Sequence, residues 1–180
     1  MTNLDGRYGF KAVQYDTRYQ RERSVDASTA TAIFKGDLVK ADTDGNASVM
    51  SAASDDFIGV VLGVFNSAGK EVQSLDASTA GSVLLCEDPQ AIYQVQFEGG
   101  GTAPTSAAIF DAADAIWTHA GDTNNGLAGV ELSETLAGDG AAKQFRILQL
   151  VNRADNVWGH NAEVLVTPLE HAYITTPNAI

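Results

Sequence analysis

The sequence predicts an all-β protein, folded as an antiparallel β-sandwich or barrel with a jelly-roll-like arrangement. Short apolar runs recur along the chain at intervals of about eight to twelve residues, as they do in sandwiches and barrels. Turns rich in Gly, Asp and Asn separate these runs, and at most one short segment has the periodicity of a helix. At 180 residues the chain is long enough to bury one sizeable core without disulfide bonds.

The first 30 residues are predicted to form an extended N-terminal arm, and residues 31–180 a single β-rich domain. Residues 1–25 contain five bases and three acids, a net charge of +2, whereas the whole chain carries −12 and the remainder therefore −14. A basic, aromatic-bearing segment on an acidic body indicates an arm that docks on an acidic surface of a neighbouring subunit or partner. The alternative is a frayed terminus with incidental bases. Within the arm, the alternation of Phe10 and Ala12 also allows a short strand.

The segment from Thr31 to Met50 predicts a β-hairpin. Two β-prone runs flank the turn Asp42–Asn46, whose Asp-Gly pair is a strong hairpin signal. The next run, Phe57–Phe65, is the most apolar of the chain and contains two glycines. Its length and its glycines favour a buried strand with a bulge over a helix.

Three further strands are predicted at 72–75, 82–87 and 91–98. Asp88-Pro89 separates the last two, because proline cannot donate to a central strand ladder. The one helix is predicted within residues 106–120. Ser106 can cap it, and four apolar residues fall near one helical face: Ile109, Ala112, Ala113 and Ile116.

The C-terminal region is predicted as strands at 127–134, 145–151 and 164–166, followed by an extended tail. The polar loop Asn152–Asn161 joins the last two strands. Here Arg153 can pair with Asp155 or with a strand carboxylate, and the ring of Trp158 can be buried while its indole N–H donates. The loop is either a pinned turn or an intersubunit contact, since Trp and Arg are enriched in interface hot spots.

Composition and motif spacing exclude several classes of function. The net charge of −12 opposes binding to phosphates, so no nucleic-acid partner is expected. The single cysteine, Cys86, excludes an intramolecular disulfide and a cysteine-rich zinc site. No nucleophile paired with a base, metal-ligand spacing or cofactor motif is legible, so we predict a non-enzymatic protein without metal or cofactor. No apolar run is long enough for a membrane span, and without a secretory signal pattern we expect cytoplasmic synthesis.

A gapped pattern over residues 31–170 resembles the capsid decoration, or cement, proteins of tailed-phage heads. Its segments occur in the order FKGDLVKAD, FIGVVLGVF, CEDPQAIYQVQFE, GVELSE and FRILQLVNRADNVWG, with a VLV strand after them. The sharpest pieces are Asp88-Pro89 with Tyr93 and Gln96, and the loop motif Arg153–Gly159. The sequence departs from the pattern at two positions. Glu87 stands in place of a first Asp, and Leu38 stands at the proline-like position after Gly-Asp.

The resemblance implies a virion structural protein on the capsid exterior, made in the cytoplasm of a host cell. It implies binding to the major capsid protein of an assembled shell, as a homo-oligomer for which we favour a trimer. The alternatives are a tail, neck or fibre-associated structural protein, or a carbohydrate-binding β-sandwich module in which Trp117 and Trp158 stack on sugars. The residues expected at interfaces are Arg7, Tyr8, Phe10, Lys11, Tyr15, Arg18, Tyr19, Arg21, Arg23, Arg153, Asp155, Asn156 and Trp158.

Overall fold

A computed structural model of the protein describes residues 3–138 and 142–174. These residues contain fifteen strands and no α-helix, which confirms the predicted all-β class. The first eight strands are β1 (Lys11–Gln14), β2 (Gln20–Val25), β3 (Ile33–Phe34), β4 (Leu38–Ala41), β5 (Ala47–Val49), β6 (Phe57–Asn66), β7 (Glu71–Val72) and β8 (Ser74–Leu75). The remaining strands are β9 (Gly81–Cys86), β10 (Ile92–Gln96), β11 (Ala112–Ala113), β12 (Ala115–Ile116), β13 (Glu131–Leu132), β14 (Phe145–Leu150) and β15 (Glu163–Pro168).

The first sheet has the strand order β1-β10-β15-β14-β11, and every neighbouring pair in it is antiparallel. Alternation of side chains sets its inner face. In β10, Tyr93 and Val95 are fully buried while Gln94 points to the other side and is half-buried. The sheet therefore has one apolar face, which packs on the rest of the molecule.

The second sheet has the order β2-β9-β6-β4-β5, with β7 paired on β6. Its strands β4 and β6 are apolar on both faces, and β6 contributes Val60 to the main core and Val61 to a second cluster. The outer strands β2 and β5 approach each other, so the sheet curls around that second cluster. The predicted bulge in the apolar run is confirmed, since the β6–β9 register shifts between Val61 and Gly63. The predicted hairpin is also confirmed, as β4 and β5 pair across Asp42–Asn46.

The main core lies between the two sheets and is built on four aromatic rings. The Phe10 ring is 4.7 Å from that of Phe145 and 6.3 Å from that of Tyr93, between ring centroids. Phe57 of the second sheet contacts Tyr93 and Phe145 edge-to-face from the other side. Such offset geometry is the favoured one for aromatic pairs. Phe57 thus joins the second sheet to the first, and Phe10, only 2% exposed, is buried against the rings of the first sheet.

The prediction of a helix within residues 106–120 is wrong. Ser106–Ala108 form one turn of 3-10 helix, and the chain then enters β11 and β12. Ala112 and Ala113, which contributed to the apparent helical face, are instead buried residues of β11. The carboxylate of Asp114 helps to fix this path, because it accepts from the Lys143 ammonium (2.6 Å) and the Gln144 N–H (3.2 Å).

The extended N-terminal arm predicted for residues 1–30 is not confirmed. β1 is an edge strand of the first sheet, and β2 pairs with β9 along its whole length. Three of the five bases in this segment form ion pairs within the chain, Arg18 with Asp16, Arg23 with Glu87, and Arg7 with Asp5 and Glu131. Two of these pairs, Arg23–Glu87 and Arg7–Glu131, join the basic segment to the acidic body of the same chain. The predicted tail at 171–180 lies outside the described residues from position 175 onward.

We predict that Phe10→Ala lowers the free energy of unfolding by about 3–5 kcal/mol, because it removes an aromatic ring from the centre of the core. Chemical denaturation of the purified variant measures this. The matched control is Val13→Ala in the same strand, where the side chain is 43% exposed and the expected loss is about 0.5–1 kcal/mol. A Phe10→Ala variant that loses as little free energy of unfolding as Val13→Ala would contradict a structural role for Phe10.

Candidate functional site: the N-terminal segment and the β14–β15 loop

The β14–β15 loop, residues 152–161, is pinned by the side chain of Asn156. Its amide nitrogen donates to the carbonyl oxygens of Val151 (2.9 Å) and Glu163 (2.8 Å), and its amide oxygen accepts from the Glu163 N–H (3.0 Å). Asn156 is buried, so these bonds are shielded from competing water. The asparagine thus ties the end of β14 to the start of β15. The loop is a pinned turn here, held by a residue for which the sequence predicted no such role.

Arg153 forms the charged part of the same loop. Its guanidinium donates to the carboxylates of Asp155 and of Glu163, the latter at 3.0 Å. The hydrogen bond from Arg153 holds the pKa of Asp155 below its usual value. The Arg153 side chain remains 48% exposed and that of Asp155 64% exposed. The pair is therefore preorganised and accessible at the surface.

The N-terminal residues lie directly on this loop. The Asn3 side-chain amide donates to the carbonyls of Val157 and His160, both at 2.8 Å, and accepts from the Val157 N–H at 3.0 Å. The Gln96 side chain holds the next residues, donating to the carbonyl of Leu4 (2.6 Å) and accepting from the Gly6 N–H (3.1 Å). The predicted loop therefore meets the N-terminal segment through residues 3–6, which precede the first predicted interface residue, Arg7.

We define the composite surface as residues 3–6 together with residues 152–161. Leu4 is 85% exposed and Val157 is 37% exposed, although the backbone of each is hydrogen-bonded across the composite surface. An apolar side chain held in solvent by a fixed backbone costs little ordering entropy when a partner covers it. Arg153 and Asp155 add a polar element to the same surface. This combination has the features of a protein-binding surface.

The two tryptophans are half-buried, and both pack against the main core. Trp158 therefore anchors the loop, and Trp117 contributes to the body. The Trp117 Nε1 atom is buried without a hydrogen-bond partner among the described residues. Neither indole presents a freely exposed face for stacking on a sugar ring.

The predicted residues Tyr15 to Arg23 lie elsewhere, at the end of β10 that is remote from the composite surface. The Asp16 N–H donates to Asp88, just before β10, and the Tyr15 hydroxyl accepts from Gln20. Arg23 binds the buried carboxylate of Glu87 through two nitrogens (2.6 and 2.8 Å), and Tyr173 donates to the same carboxylate at 2.5 Å. Arg18, Tyr19 and Arg21 are exposed here. These predicted interface residues therefore lie on a different surface from the predicted loop residues Arg153 to Trp158.

Tyr8 and Lys11 belong to neither of these groups, because they line a groove beside β1. The Tyr8 hydroxyl accepts a hydrogen bond from the Gln94 amide nitrogen (3.2 Å). Burial and the nearby Glu163 carboxylate raise the pKa of Tyr8 above its ordinary value. Phe10 was expected at an interface and is instead a core residue.

A cluster of buried acids adjoins the composite surface. The Glu134 carboxylate is 2.9 Å from the Nδ1 atom of His160, and Glu98 accepts from the hydroxyl of Ser133 (3.1 Å). Glu131 is only 2% exposed and lies 3.7 Å from both Arg7 and His119. Burial raises the pKa of Glu131 to about 7, although the positive charge of Arg7 opposes this. The cluster therefore contains a carboxyl group that titrates near neutral pH.

Sequence reasoning missed how the composite surface is held together. The Gln96 side chain reaches the N-terminal segment, and the Glu163 side chain reaches Arg153. Gln96 belongs to the motif of the resemblance, and a strand carboxylate was expected as a partner of Arg153, but neither pattern indicated a contact with the N-terminal segment. Asn3 gave no signal, because its partners are more than 150 residues away.

No family model matches the chain, and no curated protein matches it. The resemblance to capsid decoration proteins therefore stays a prediction. Within residues 3–138 and 142–174, no group of three or more His, Cys, Asp or Glu side chains is placed to hold a metal ion. The same part of the chain has no helix that could cross a bilayer.

We predict that Asn156→Ala lowers the free energy of unfolding by about 2–4 kcal/mol, because three backbone groups lose their shared partner. Denaturant titration of the variant tests this. Asp155→Ala, one residue away and exposed, is the matched control, with an expected loss of about 0.5 kcal/mol or less. An Asn156 variant as stable as this control would show that the loop is not pinned by the amide.

We also predict that Glu131→Gln changes how stability depends on pH. The Glu131 pKa is about 7 when folded and 4.5 ordinarily, so the folded protein binds the extra proton between these values. Its contribution to stability is therefore full below about pH 4.5 and is lost as the pH rises through 7. The Gln variant should gain about 1–2 kcal/mol relative to wild type between pH 5 and 8, a value reduced from the full shift because the site is partly screened.

The measurement is the unfolding midpoint in urea at a series of pH values. Glu22→Gln removes one negative charge from an exposed side chain and is the matched control. If the stability difference between Glu131→Gln and wild type is constant over this pH range, the raised pKa is refuted.

Proposed function

We propose that this protein is a non-enzymatic virion structural protein that binds the outside of an assembled phage capsid and stabilises it. The observation that carries the proposal is the composite surface. It brings together the segment with the strongest motif resemblance, Arg153–Gly159, and the N-terminal residues, and it exposes Leu4 and Val157 on a fixed backbone. A surface of this kind supports recognition of another protein without any chemical step.

Stabilisation of a shell by such a protein follows from mass action. A protein that binds the assembled lattice but not its separated subunits lowers the free energy of the assembled state. Modest contacts are sufficient when several copies bind together, since linked sites raise the effective concentration. We therefore include in the proposal a homotrimer bound to the major capsid protein on the capsid exterior. The acidic body, with a net charge of −12 for the chain, favours solubility of the decorated particle.

The two alternative functions differ in their support. The carbohydrate-binding module relied on Trp117 and Trp158, and both rings pack against the core. A tail, neck or fibre-associated protein would use the same kind of protein-binding surface. The choice between shell and tail is therefore an outcome of the binding experiment below.

We predict saturable co-sedimentation of the purified protein with assembled shells of the cognate major capsid protein. The double variant Leu4→Glu, Val157→Glu should bind at least about tenfold more weakly, because it places two carboxylates in the proposed apolar contact, and tenfold corresponds to about 1.4 kcal/mol. Both side chains are exposed in the isolated protein, so the fold should be unaffected. Circular dichroism checks the fold, and quantified pellets give the affinity.

The matched control is Ile174→Glu, which places an acid at another exposed apolar position. Ile174 is 47% exposed and follows Tyr173, whose hydroxyl contacts Glu87 at the opposite end of β10 from Leu4. Its binding should equal that of wild type. Equal binding by the double variant would refute the composite surface as the contact. A wild-type protein that ignores shells and sediments with purified tails would favour the alternative function.

A further inference from the structure

An exposed apolar residue stands at one edge of the first sheet. Phe110 is 60% exposed, and its neighbour Ile109 is 37% exposed. The Phe110 backbone is fixed, because its N–H donates to the carbonyl of Ile147 (2.9 Å). Its φ angle is +72°, a conformation that is rare for a bulky residue. Such an outlier at the surface points to a functional role for the side chain. We call Ile109 and Phe110 the apolar knob.

A groove lies along the opposite edge of the same sheet. Its volume is about 580 Å³, and β1 forms one of its walls. Val61, Leu62 and Leu127 supply apolar lining, with Tyr8 and Gln94 at the side. This volume lies within the range of pockets that accept organic groups. A phenylalanine side chain with part of an isoleucine fits within it.

The placement of knob and groove decides how two copies can associate. The knob precedes β11 and the groove follows β1, and these are the two outer strands of the first sheet. Four strand spacings separate them, about 19 Å. Patches on opposite edges favour a head-to-tail contact, in which the knob of one copy enters the groove of the next. Heterologous contacts of this type generate a closed ring when the rotation closes.

The charges of the two surfaces are complementary. Asp111 follows the knob, and the described structure shows no ion pair for its carboxylate. Three bases line the groove, but Lys35 is paired with Glu71, and Arg153 is paired with Asp155 and Glu163. Lys11 is the one base of the groove without an ion pair among the described residues, so it leaves a single uncompensated positive charge there. A second copy of this chain offers the matching acid directly beside the matching apolar side chain.

We propose that the apolar knob of one subunit binds in the β1 groove of the next, and that this contact builds the homo-oligomer. The inference rests on the trimer in the proposed function and gives that trimer an interface. It also assigns the left-handed conformation of Phe110 a purpose, since that backbone directs the ring away from the body. Subunits in such a ring present identical composite surfaces, as multivalent shell binding requires.

The test is the mass of the purified protein in solution, measured by light scattering and by sedimentation. Wild type should form a closed oligomer, and Phe110→Asn should fall to the mass of one chain, 18.9 kDa. Asparagine adopts positive φ readily, so this variant should fold. Ile174→Asn removes a comparably exposed apolar side chain and is the matched control, with the wild-type mass expected.

A mixing experiment identifies the interface as heterologous. Leu127→Glu blocks the groove and keeps the knob, whereas Phe110→Asn keeps the groove and lacks the knob. Each should be monomeric alone, and an equal mixture should give a heterodimer of twice the single-chain mass, since one intact contact remains per pair and no ring can close. Formation of the heterodimer also shows that both variants are folded.

Several results would overturn the inference. A monomeric wild type, or a Phe110→Asn variant with the wild-type mass, would exclude the knob. If the Leu127→Glu and Phe110→Asn variants remain monomeric when they are mixed, the groove is excluded as the partner of the knob. These measurements use no capsid, so they are distinguishable from failure of the proposed function. If the wild-type protein is a monomer and still binds shells, the ring is refuted and shell binding is not. If it forms a ring and does not bind shells, shell binding is refuted and the ring is not.

Discussion

Burial of Phe10 between the two sheets is the interaction on which the rest of the structure depends. The ring contacts Tyr93 and Phe145, and it fixes the chain at the point where β1 joins the edge of the first sheet. Backbone packing tightens the same place, because Gly9 approaches the carbonyl of Gly36 too closely for any larger residue, and the Phe10 N–H donates to that carbonyl. Since Phe10 is fixed, the residues before it lie on the β14–β15 loop and those after it form a groove wall.

Ion pairs also hold the N-terminal segment in place. The N-terminal segment is basic and the body is acidic, and the ion pairs Arg7–Glu131 and Arg23–Glu87 join them inside one molecule. The Arg23–Glu87 pair is half-shielded from solvent, so it carries more energy than a fully exposed pair. Lys11 remains without an ion pair in the part of the chain that the structure describes, and it faces the groove. Intramolecular pairing thus leaves one unpaired base, Lys11, beside β1.

Local patterns in the sequence predicted most strands, because a strand's alternation and a hairpin's Asp-Gly turn are written in consecutive residues. These patterns failed where contacts with residues distant in the sequence determine the structure. The Ala-rich stretch around Ala112 has helical spacing, yet pairing with β14 makes it a strand. The basic N-terminus resembles a free arm, yet Phe10 and Asn3 find partners far along the chain. In the loop, Arg153, Asn156 and Trp158 were identified, whereas the contact of Gln96 with the N-terminal segment was not, because the two are about 90 residues apart in the chain.

One continuous segment serves both proposed interfaces, and this links them energetically. Residues 3–6 belong to the composite surface, and Tyr8 and Lys11, a few residues further on, line the groove. Arg153 lies in the loop and also lines the groove, so it touches both. A neighbour that fills the groove would order the segment, and a shell would then bind it at a smaller cost in entropy. Linkage requires the reverse as well, so a shell that binds residues 3–6 would favour the subunit contact by the same factor.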